Sequence, residues 1–392
     1  EYIQNVTGSS PRVGSNQGRA ELTVILKPWE ERKSTTIEKI MHTVEKHLEE
    51  YPECKVYLST PPVIPGLGSS GGFEMQLEAR GEATFDNLVD ATDTLMYYAL
   101  LRGMNYLLFW DDDEYPVACI RDESTKEITW KEQNNVLTHY NYIKDADVTI
   151  GYHCGYISPI PYVELNEDVD EGLFKQYIEA ISNDIISWES IKEKFTKYNG
   201  VTYADPKISN GEGAYELQSD GVGKWVAGST LCLNLNHIDK IPAFYNPEGA
   251  RGEDTFFSTK LNDSKVIKVP VYHFHDGFLK YTSILRKKYP KTLRKIKVED
   301  EQITKRFIQA SKGWIKYKPL FQYITHKESY QEQMKSTYAK LEVSIPEINK
   351  LFKDEDFSFL LQDLTKYDKN VKKHYNEYLK TNEVWNKLKS EI

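Results

Sequence analysis

The stretch that decides the fold is Tyr106-Leu107-Leu108-Phe109-Trp110-Asp111-Asp112-Asp113-Glu114, in which an apolar run ends abruptly in acids. The run is short and is followed by Tyr115-Pro116, so it predicts a buried strand that stops where the acids begin. Clustered acids are excluded from strand interiors, because burying an unpaired charge costs several kcal/mol. We therefore expect the acids at the exit of this strand, at one edge of a sheet.

That edge is a ligand-binding position in open α/β sheets, where ligands bind outside the carboxyl ends of the strands. Asp111 and Asp113 at this edge form a hard-oxygen site suited to Mg²⁺ or Mn²⁺, ions that also carry substrate phosphates. A solvated acidic turn explains the same triplet equally well. The rest of the chain has to separate the two interpretations.

The amino-acid composition limits the classes of function that this protein can have. With 392 residues and 40% apolar content, the chain is long enough for two or three domains with proper cores. A net charge of −9, without a basic stripe that carries interleaved aromatics, argues against a nucleic-acid partner. Reduced thiols are favoured over disulfides or a zinc site, because no CxxC joins the four cysteines, Cys54, Cys119, Cys154 and Cys232. No apolar run reaches transmembrane length and residue 1 begins no signal peptide, so we expect a cytoplasmic protein without a membrane span.

The first quarter of the chain alternates strand and helix patterns. Strands are predicted at Leu22–Trp29, Cys54–Ser59 and Gly72–Ala79. Helices are predicted from Ser34 to about Glu50 and from Thr84 onward, where apolar residues recur at helical spacing. The order strand, helix, strand, strand, helix predicts an α/β unit over residues 1–98.

Three motifs in this unit are long and specific. They are ILKPWEER at 25–32, PPVIPGLG at 61–68 and GGFEMQL at 71–77. Residues 1–98 thereby resemble the first porter subdomain in the second half of resistance-nodulation-division multidrug efflux pumps. The resemblance implies a ferredoxin-like α/β fold and, because that subdomain works within a trimer, an oligomer formed through residues 1–98. It does not imply transport, since the sequence has no membrane helices or intramembrane proton-relay carboxylates.

Beyond residue 99 the pattern predicts a second sheet. Strands are predicted at Pro116–Ile120, Glu127–Trp130, Asp147–Tyr152 and Trp225–Leu235, and residues 172–195 are mostly helical in pattern. The polar, glycine-rich stretch from Tyr198 to Gly223 is long for a loop inside a domain. A mobile active-site flap and an idle surface loop both fit it.

Two further groups of residues point to chemistry. Glu253 and Asp254 open a predicted helix, whose positive dipole end favours acids. The alternative interpretation is that Asp254 or Glu253 accepts a proton from a substrate hydroxyl. His273 and His275 alternate along a predicted strand, so both imidazoles point to one face. They are either packing residues or metal ligands, and His275 is the first choice because it lies nearer the carboxyl end of the strand.

The ordered set Asp111-Asp112-Asp113, Gly228-Ser229, Gly252-Glu253-Asp254 and His273/His275 resembles that of nucleotide-sugar glycosyltransferases with the GT-A fold, over residues 99–285. The resemblance implies a DxD motif in which Asp111, Asp112 and Asp113 bind Mn²⁺ or Mg²⁺ on the donor diphosphate, with Asp111 and Asp113 as direct ligands. It implies that His275 or His273 completes the metal shell and that Asp254 or Glu253 deprotonates the acceptor hydroxyl. Donor contacts are expected from Trp225, Gly228, Ser229 and Arg251.

The chain departs from that family in one respect. A βαβ segment that binds the nucleotide precedes the DxD motif in the family, whereas the pump-like segment occupies that length here. The junction falls inside a predicted helix, near Tyr97–Gly103, so the chain has the pattern of a fusion of two unrelated segments. We expect a porter-like unit at 1–98, a GT-A-like mixed α/β domain at 99–290 and a helical region at 291–392.

The sequence thus favours an enzyme, a metal-dependent glycosyltransferase that moves a sugar from a nucleotide-sugar to an acceptor hydroxyl. The alternative is a non-catalytic fusion or assembly module related to the porter domain. Residues 291–392 are rich in Lys and Glu with spaced aromatics, which predicts amphipathic helices on the catalytic region, a partner surface or a solvated appendage. Pro319 predicts a helix break.

Overall fold

The computed structural model describes residues 2–10, 14–25, 43, 85–111, 113–156, 160–182, 187–300 and 302–391. The chain divides into two units, Glu1–Gln76 and Leu77–Ile392. The strands predicted at 54–59 and 72–79 and the central acid Asp112 lie outside the described residues, and of the helix predicted from Ser34 only residue 43 is described, as helical. Their predictions therefore stand as made.

The first unit contains an antiparallel hairpin of β1 (Tyr2–Ser10) and β2 (Gly14–Ile25), in which Tyr2 lies opposite Ile25. The register shifts between Thr7 and Ser9. Sequence periodicity predicted only the end of β2, because residues 14–21 are nearly all polar or glycine and lack the apolar alternation that marks a strand.

The second unit is a mixed α/β region followed by helices. Helix α1 (Phe85–Leu101) leads into strand β3 (Tyr106–Leu108), which confirms a strand before the acids. The strand is only partly buried and lies at the end of the sheet order, so the prediction that it is buried is wrong. The elements that follow are β4 (Glu114–Tyr115), β5 (Val117–Arg121), β6 (Ile128–Glu132), α2 (Asn135–Ile143), β7 (Val148–Tyr156), α3 (Glu171–Ile181), α4 (Trp188–Tyr198), β8 (Val201–Thr202), α5 (Pro206–Ser209), β9 (Tyr215–Glu216), β10 (Leu231–Asn234), α6 (Glu253–Ser258) and β11 (Val266–His275).

Of the described strands, seven form one sheet with the order β3-β10-β7-β11-β4, in which β8 pairs with β7 and β9 pairs with β11. Strand β10 is antiparallel to both β3 and β7, β11 is parallel to β7, and β4 is antiparallel to β11. Strands β3, β7 and β11 therefore end at the same edge, where β10 and β4 begin. The topology brings five chain segments to one rim, as the acidic strand exit predicted.

Helix α1 packs on this sheet. Its residues Met96 and Ala99 are buried in one cluster with Val148, Ile150 and Leu231. The helix that contains the predicted junction thus contributes side chains to the core of the second unit, because its apolar positions fall on one helical face.

The stretch from Tyr198 to Gly223 is not one continuous loop. It contains β8, the short helix α5 and β9, and its two strands pair with β7 and β11. Gly228 also differs from expectation, because residues 228–230 form a 3₁₀ turn before β10 rather than part of the strand.

The C-terminal region is helical, as predicted. It consists of α7 (Ile303–Thr325), α8 (Tyr330–Phe352), α9 (Phe359–Lys369) and α10 (Val371–Ser390). The break predicted at Pro319 is wrong, because α7 continues through it. Buried Ile315, Leu320 and Phe321 surround the proline, and their packing outweighs the one backbone hydrogen bond that proline removes.

These helices are not a solvated appendage. Phe307 and Leu341 are fully buried in a cluster with Phe174 and Tyr177 of α3. Trp385 of α10 is buried in the cluster that also contains Val148 and donates its ring N–H to the carbonyl oxygen of Ile241 at 2.8 Å. The C-terminal helices are part of the core of the second unit.

Candidate functional site

Glu114, the first residue of β4, is the hub of the sheet edge. Its side chain is buried, with 5% of the residue exposed. Its Oε1 lies 2.8 Å from His153 Nε2 and accepts a hydrogen bond from Ser229 Oγ at 2.8 Å. Its Oε2 lies 2.9 Å from His273 Nδ1. The carboxylate thus contacts groups from β7, from the turn before β10 and from β11. A buried charge needs such partners, because an unpaired charge in the interior is strongly destabilising.

The electrostatics of this hub favour the carboxylate ion. Burial by itself raises the pKa of Glu114, but the contacts from His153 and His273 outweigh burial and hold the pKa well below its usual range. Burial lowers the pKa of His273, and the neighbouring Glu114 opposes that effect only in part. The 2.9 Å approach of His273 Nδ1 to Glu114 Oε2 is a close charge contact without hydrogen-bond geometry, since neither atom has a hydrogen-bond partner within the described residues.

Asp113 and His275 form the second contact at the edge. His275 Nε2 lies 3.4 Å from Asp113 Oδ2, and both side chains are partly exposed. The backbone N–H of Asp276 donates to the carbonyl oxygen of Asp113 at 2.8 Å, which ties the turn after β3 to the end of β11. Burial lowers the pKa of His275, but the carboxylates of Asp113, Glu114 and Asp111 raise it overall.

Asp111 adds a carboxylate to the same edge. Loss of hydration, with the charges of Glu114 and Asp113, raises its pKa to about 6. At the start of α6, burial and the adjacent Asp254 raise the pKa of Glu253, and the charge of Asp111 contributes to this rise. The acids of α6 and of the sheet edge therefore act on each other electrostatically.

The carboxylates of Glu253 and Asp254 differ in their hydrogen bonds. Burial raises the pKa of Asp254, although its carboxylate is hydrogen-bonded by the backbone N–H groups of Thr255 and Gly228. Oε2 of Glu253 is buried and has no hydrogen-bond partner among the residues that the structure describes. The structure also confirms that both acids open a helix.

Gly155 allows β7 and β11 to approach each other at the site. It lies opposite His275 in the parallel register and has a φ of +99°. A Cβ on Gly155 would lie 2.4 Å from the carbonyl oxygen of His275. Only glycine combines this backbone conformation with this approach.

The indole of Trp110 covers the hub. Its ring centroid lies 4.4 Å from that of His273, and its N–H donates to the carbonyl oxygen of Glu114 at 3.1 Å.

Two of the predicted donor-binding residues, Trp225 and Arg251, make packing contacts with helix α7. The ring N–H of Trp225 donates to Asp220 Oδ2 at 2.7 Å, and the ring lies 6.0 Å from that of Phe321 in α7. The side chain of Arg251 lies against Gly313 of α7, where a Cβ would approach Arg251 Cγ to 2.8 Å. Of the four residues predicted to contact a donor, Ser229 contacts Glu114, and Gly228 contacts Asp254 through its backbone.

Sequence reasoning missed Glu114, His153 and Gly155. Glu114 stands at the tail of an acidic run, and His153 lies inside a predicted strand, so neither was singled out. The pairing of His273 with His153 in the β7–β11 register brings them together. The alternation of His153 and Gly155 along β7 was the available signal.

The site has the donors for a divalent ion only in part. Over the described ranges, which leave out Asp112, no group of three or more His, Cys, Asp or Glu side chains is arranged to hold a metal ion. Asp113 and His275 are within reach of one shared ion, and Asp111 lies on the same edge.

Comparison with known proteins concerns the start of the chain. The AcrB/AcrD/AcrF family model matches residues 1–102, about a quarter of the sequence. No solved structure matches. Across the part of the chain that the structure describes, no helix is both long and apolar enough to cross a membrane. The match supports the resemblance of the N-terminal part to an efflux-pump porter domain, and it ends before the first residue of the sheet-edge site.

Proposed function

We propose that residues 99–290 form a metal-dependent glycosyltransferase of the GT-A type, which moves a sugar from a nucleotide-sugar to an acceptor hydroxyl. The observation that carries the proposal is the 3.4 Å approach of His275 Nε2 to Asp113 Oδ2. Carboxylate and imidazole meet there at the edge of the sheet where β3, β7 and β11 end. That edge is the ligand-binding position of α/β sheets.

The residues at this edge supply one close pair of donors for a divalent ion, Asp113 and His275. Two donors that share one ion at about 2.1 Å each lie roughly 3 Å apart, which the Asp113–His275 separation approaches. Asp111 would be the third ligand, since the repulsion that raises its pKa is relieved by a cation. His273 is left out of this set because it is fully buried and faces Glu114. A bound Mn²⁺ or Mg²⁺ would neutralise charge on the departing nucleotide diphosphate.

Glu253 is the residue that we assign as general base. Its Oε2 is buried and lacks a hydrogen-bond partner within the described residues, so it has an acceptor position for the proton of a sugar hydroxyl. Burial and Asp254 raise its pKa to about 8, so the ionised form that accepts a proton becomes the major one above about pH 8, and it is a stronger base than an ordinary carboxylate. Asp254 holds the loop of Gly228 through the backbone N–H and so positions the start of α6.

Calorimetric titration with Mn²⁺ tests the metal site. We expect Asp113→Ala to abolish binding, because it removes one of the two donors that lie together. Asp263→Ala is the matched control, since Asp263 is an exposed carboxylate in the turn before β11. Equal Mn²⁺ affinity in the wild type and Asp113→Ala would remove the metal site from the proposal.

A thermal-shift screen of nucleotide-sugars tests donor binding. We expect a donor to raise the melting temperature only when Mn²⁺ is present, because the ion joins the diphosphate to Asp111 and Asp113. The control is the same screen with Asp113→Ala. Stabilisation that is identical without Mn²⁺ would contradict a metal-dependent donor site.

A second candidate function is assembly through the N-terminal segment, which the match of residues 1–102 favours. It predicts an oligomer of the full chain and a monomer for residues 77–392. Light scattering coupled to size-exclusion chromatography measures both masses. A monomeric full chain would remove this function.

A further inference from the structure

The backbone of Glu114 joins the two residues that we assign to the metal. Glu114 follows Asp113 directly and lies opposite His275 in the β4–β11 pair. The backbone of Glu114 is therefore adjacent to both Asp113 and His275. The side chain of Glu114 points into the protein rather than toward the proposed ion, because it is almost completely buried.

The side chain of Glu114 holds three groups that differ in exposure. His273 is fully buried and Ser229 is buried, whereas the side chain of His153 is about one-third exposed. His153 Nε2 lies 2.8 Å from Glu114 Oε1 and 3.0 Å from Ser229 Oγ, so this nitrogen is engaged on the protein side. The ring of His153 is thus fixed from within by a carboxylate and a hydroxyl.

The side chain of His153 is partly exposed while Nε2 is held by Glu114, and the ring centroid lies 6.3 Å from that of His275. An imidazole that is oriented through one nitrogen offers its second nitrogen in a defined direction. His153 is therefore a partly exposed polar group, oriented from within the protein, beside the proposed metal position.

We propose that Glu114 is the positioning residue of this site and acts by fixing the ring of His153, which contacts the nucleotide-sugar donor. The proposal rests on the proposed transferase function for its substrate. Glu114 touches neither substrate nor metal, and its effect passes through His153. Ser229 supports the same orientation from the turn before β10.

A double-mutant cycle separates positioning from a general structural role. We expect Glu114→Gln to lower kcat for donor turnover about 10- to 100-fold, the usual loss when an orienting partner is removed. We expect Mn²⁺ affinity to change little, because Asp113 and His275 remain. If Glu114 acts through His153, the double variant with His153→Asn will have the kcat of His153→Asn alone, to within about 2-fold. Glu212→Gln, at an exposed glutamate, is the matched control.

Multiplicative losses in the double variant, or an unchanged kcat in Glu114→Gln, would overturn the proposal. Glu114→Asp keeps the charge, and we expect it to recover part of the loss. Should Glu114→Gln fail to fold, Ser229→Ala replaces it in the cycle, because it removes one contact and keeps the carboxylate. We expect Ser229→Ala to lower kcat less than removal of the charge does.

Nuclear magnetic resonance of ¹⁵N-labelled histidine provides a readout that needs no activity. We expect Glu114→Gln to change the ¹⁵N shifts of the His153 ring, with the resonance assigned through His153→Asn. A wild type that turns over no donor would refute the proposed reaction and with it the donor contact. The ¹⁵N chemical shifts of the His153 ring would still test whether Glu114 positions this ring. Unchanged shifts in Glu114→Gln would show that it does not.

Discussion

Gly155 lies directly opposite His275 in the parallel pair of β7 and β11, where a Cβ on Gly155 would come within 2.4 Å of the carbonyl oxygen of His275. The glycine therefore sets how closely two strands of the candidate site approach. Because His275 carries one of the proposed ligands, a change at Gly155 reaches the site through the backbone.

Gly155→Ala should lower the free energy of unfolding by more than the roughly 1–2 kcal/mol that a positive φ costs, since the new Cβ also meets backbone. Gly211→Ala is the matched control: Gly211 has a φ of +90°, and a Cβ at that position would have no neighbour within 4 Å. Urea unfolding measures both variants. Equal losses would show that contact with His275 adds nothing to the backbone strain.

The depressed pKa of Glu114 predicts an acid-side loss of stability. A carboxyl whose pKa is lower in the folded than in the unfolded protein adds stability above its unfolded value, and that contribution is lost as the pH falls through the folded value. The reference value is 4.5, so the loss should develop below about pH 4.5. In Glu114→Gln this part of the pH dependence should disappear, whereas Glu212→Gln should retain it. Unfolding midpoints between pH 3 and pH 7 provide the measurement.

Mn²⁺ binding should weaken as the pH falls below about 6. Asp111 has its pKa raised to about 6, and a protonated carboxyl does not ligate a metal. Calorimetric titrations from pH 8 to pH 5 should show the fall, and Asp111→Asn should show a shallower one. The same steep fall in Asp111→Asn would assign the titrating group elsewhere.

Trp385→Ala should destabilise the protein by about 3–5 kcal/mol, because it empties a buried site on the sheet core. Val384→Ala on the same helix is the control, since Val384 is half exposed and should change stability by less than about 0.5 kcal/mol. Chemical unfolding compares the two. Similar small effects would mean that α10 is peripheral to the core.

Met96→Ala tests whether α1 belongs to the second unit. The side chain is fully buried against the sheet, so about 2–5 kcal/mol should be lost, whereas Leu101→Ala at an exposed position should have little effect. The measurement is the unfolding of a fragment from residue 77 onward, with its variants. Unchanged stability in Met96→Ala would separate α1 from the sheet.

Local pattern was enough for much of the fold. The existence of a strand before the acids, the helix start at Glu253 and the alternation of His273 and His275 all follow from strand and helix periods along a few neighbouring residues, although β3 ends two residues earlier than predicted. The prediction of a helix break at Pro319 was wrong. It used only the proline itself, whereas the packing that keeps α7 continuous comes from other parts of the chain.

By itself, the sequence determined the residue types of the edge: acids that follow an apolar strand and histidines that share a face. Tertiary structure alone decided that Glu114 is buried beneath His153 and Ser229, and that Gly155 faces His275. The reason is physical, because strand order and register arise from hydrogen bonds between distant segments. A side chain's partners across those pairs are not encoded in its own neighbourhood.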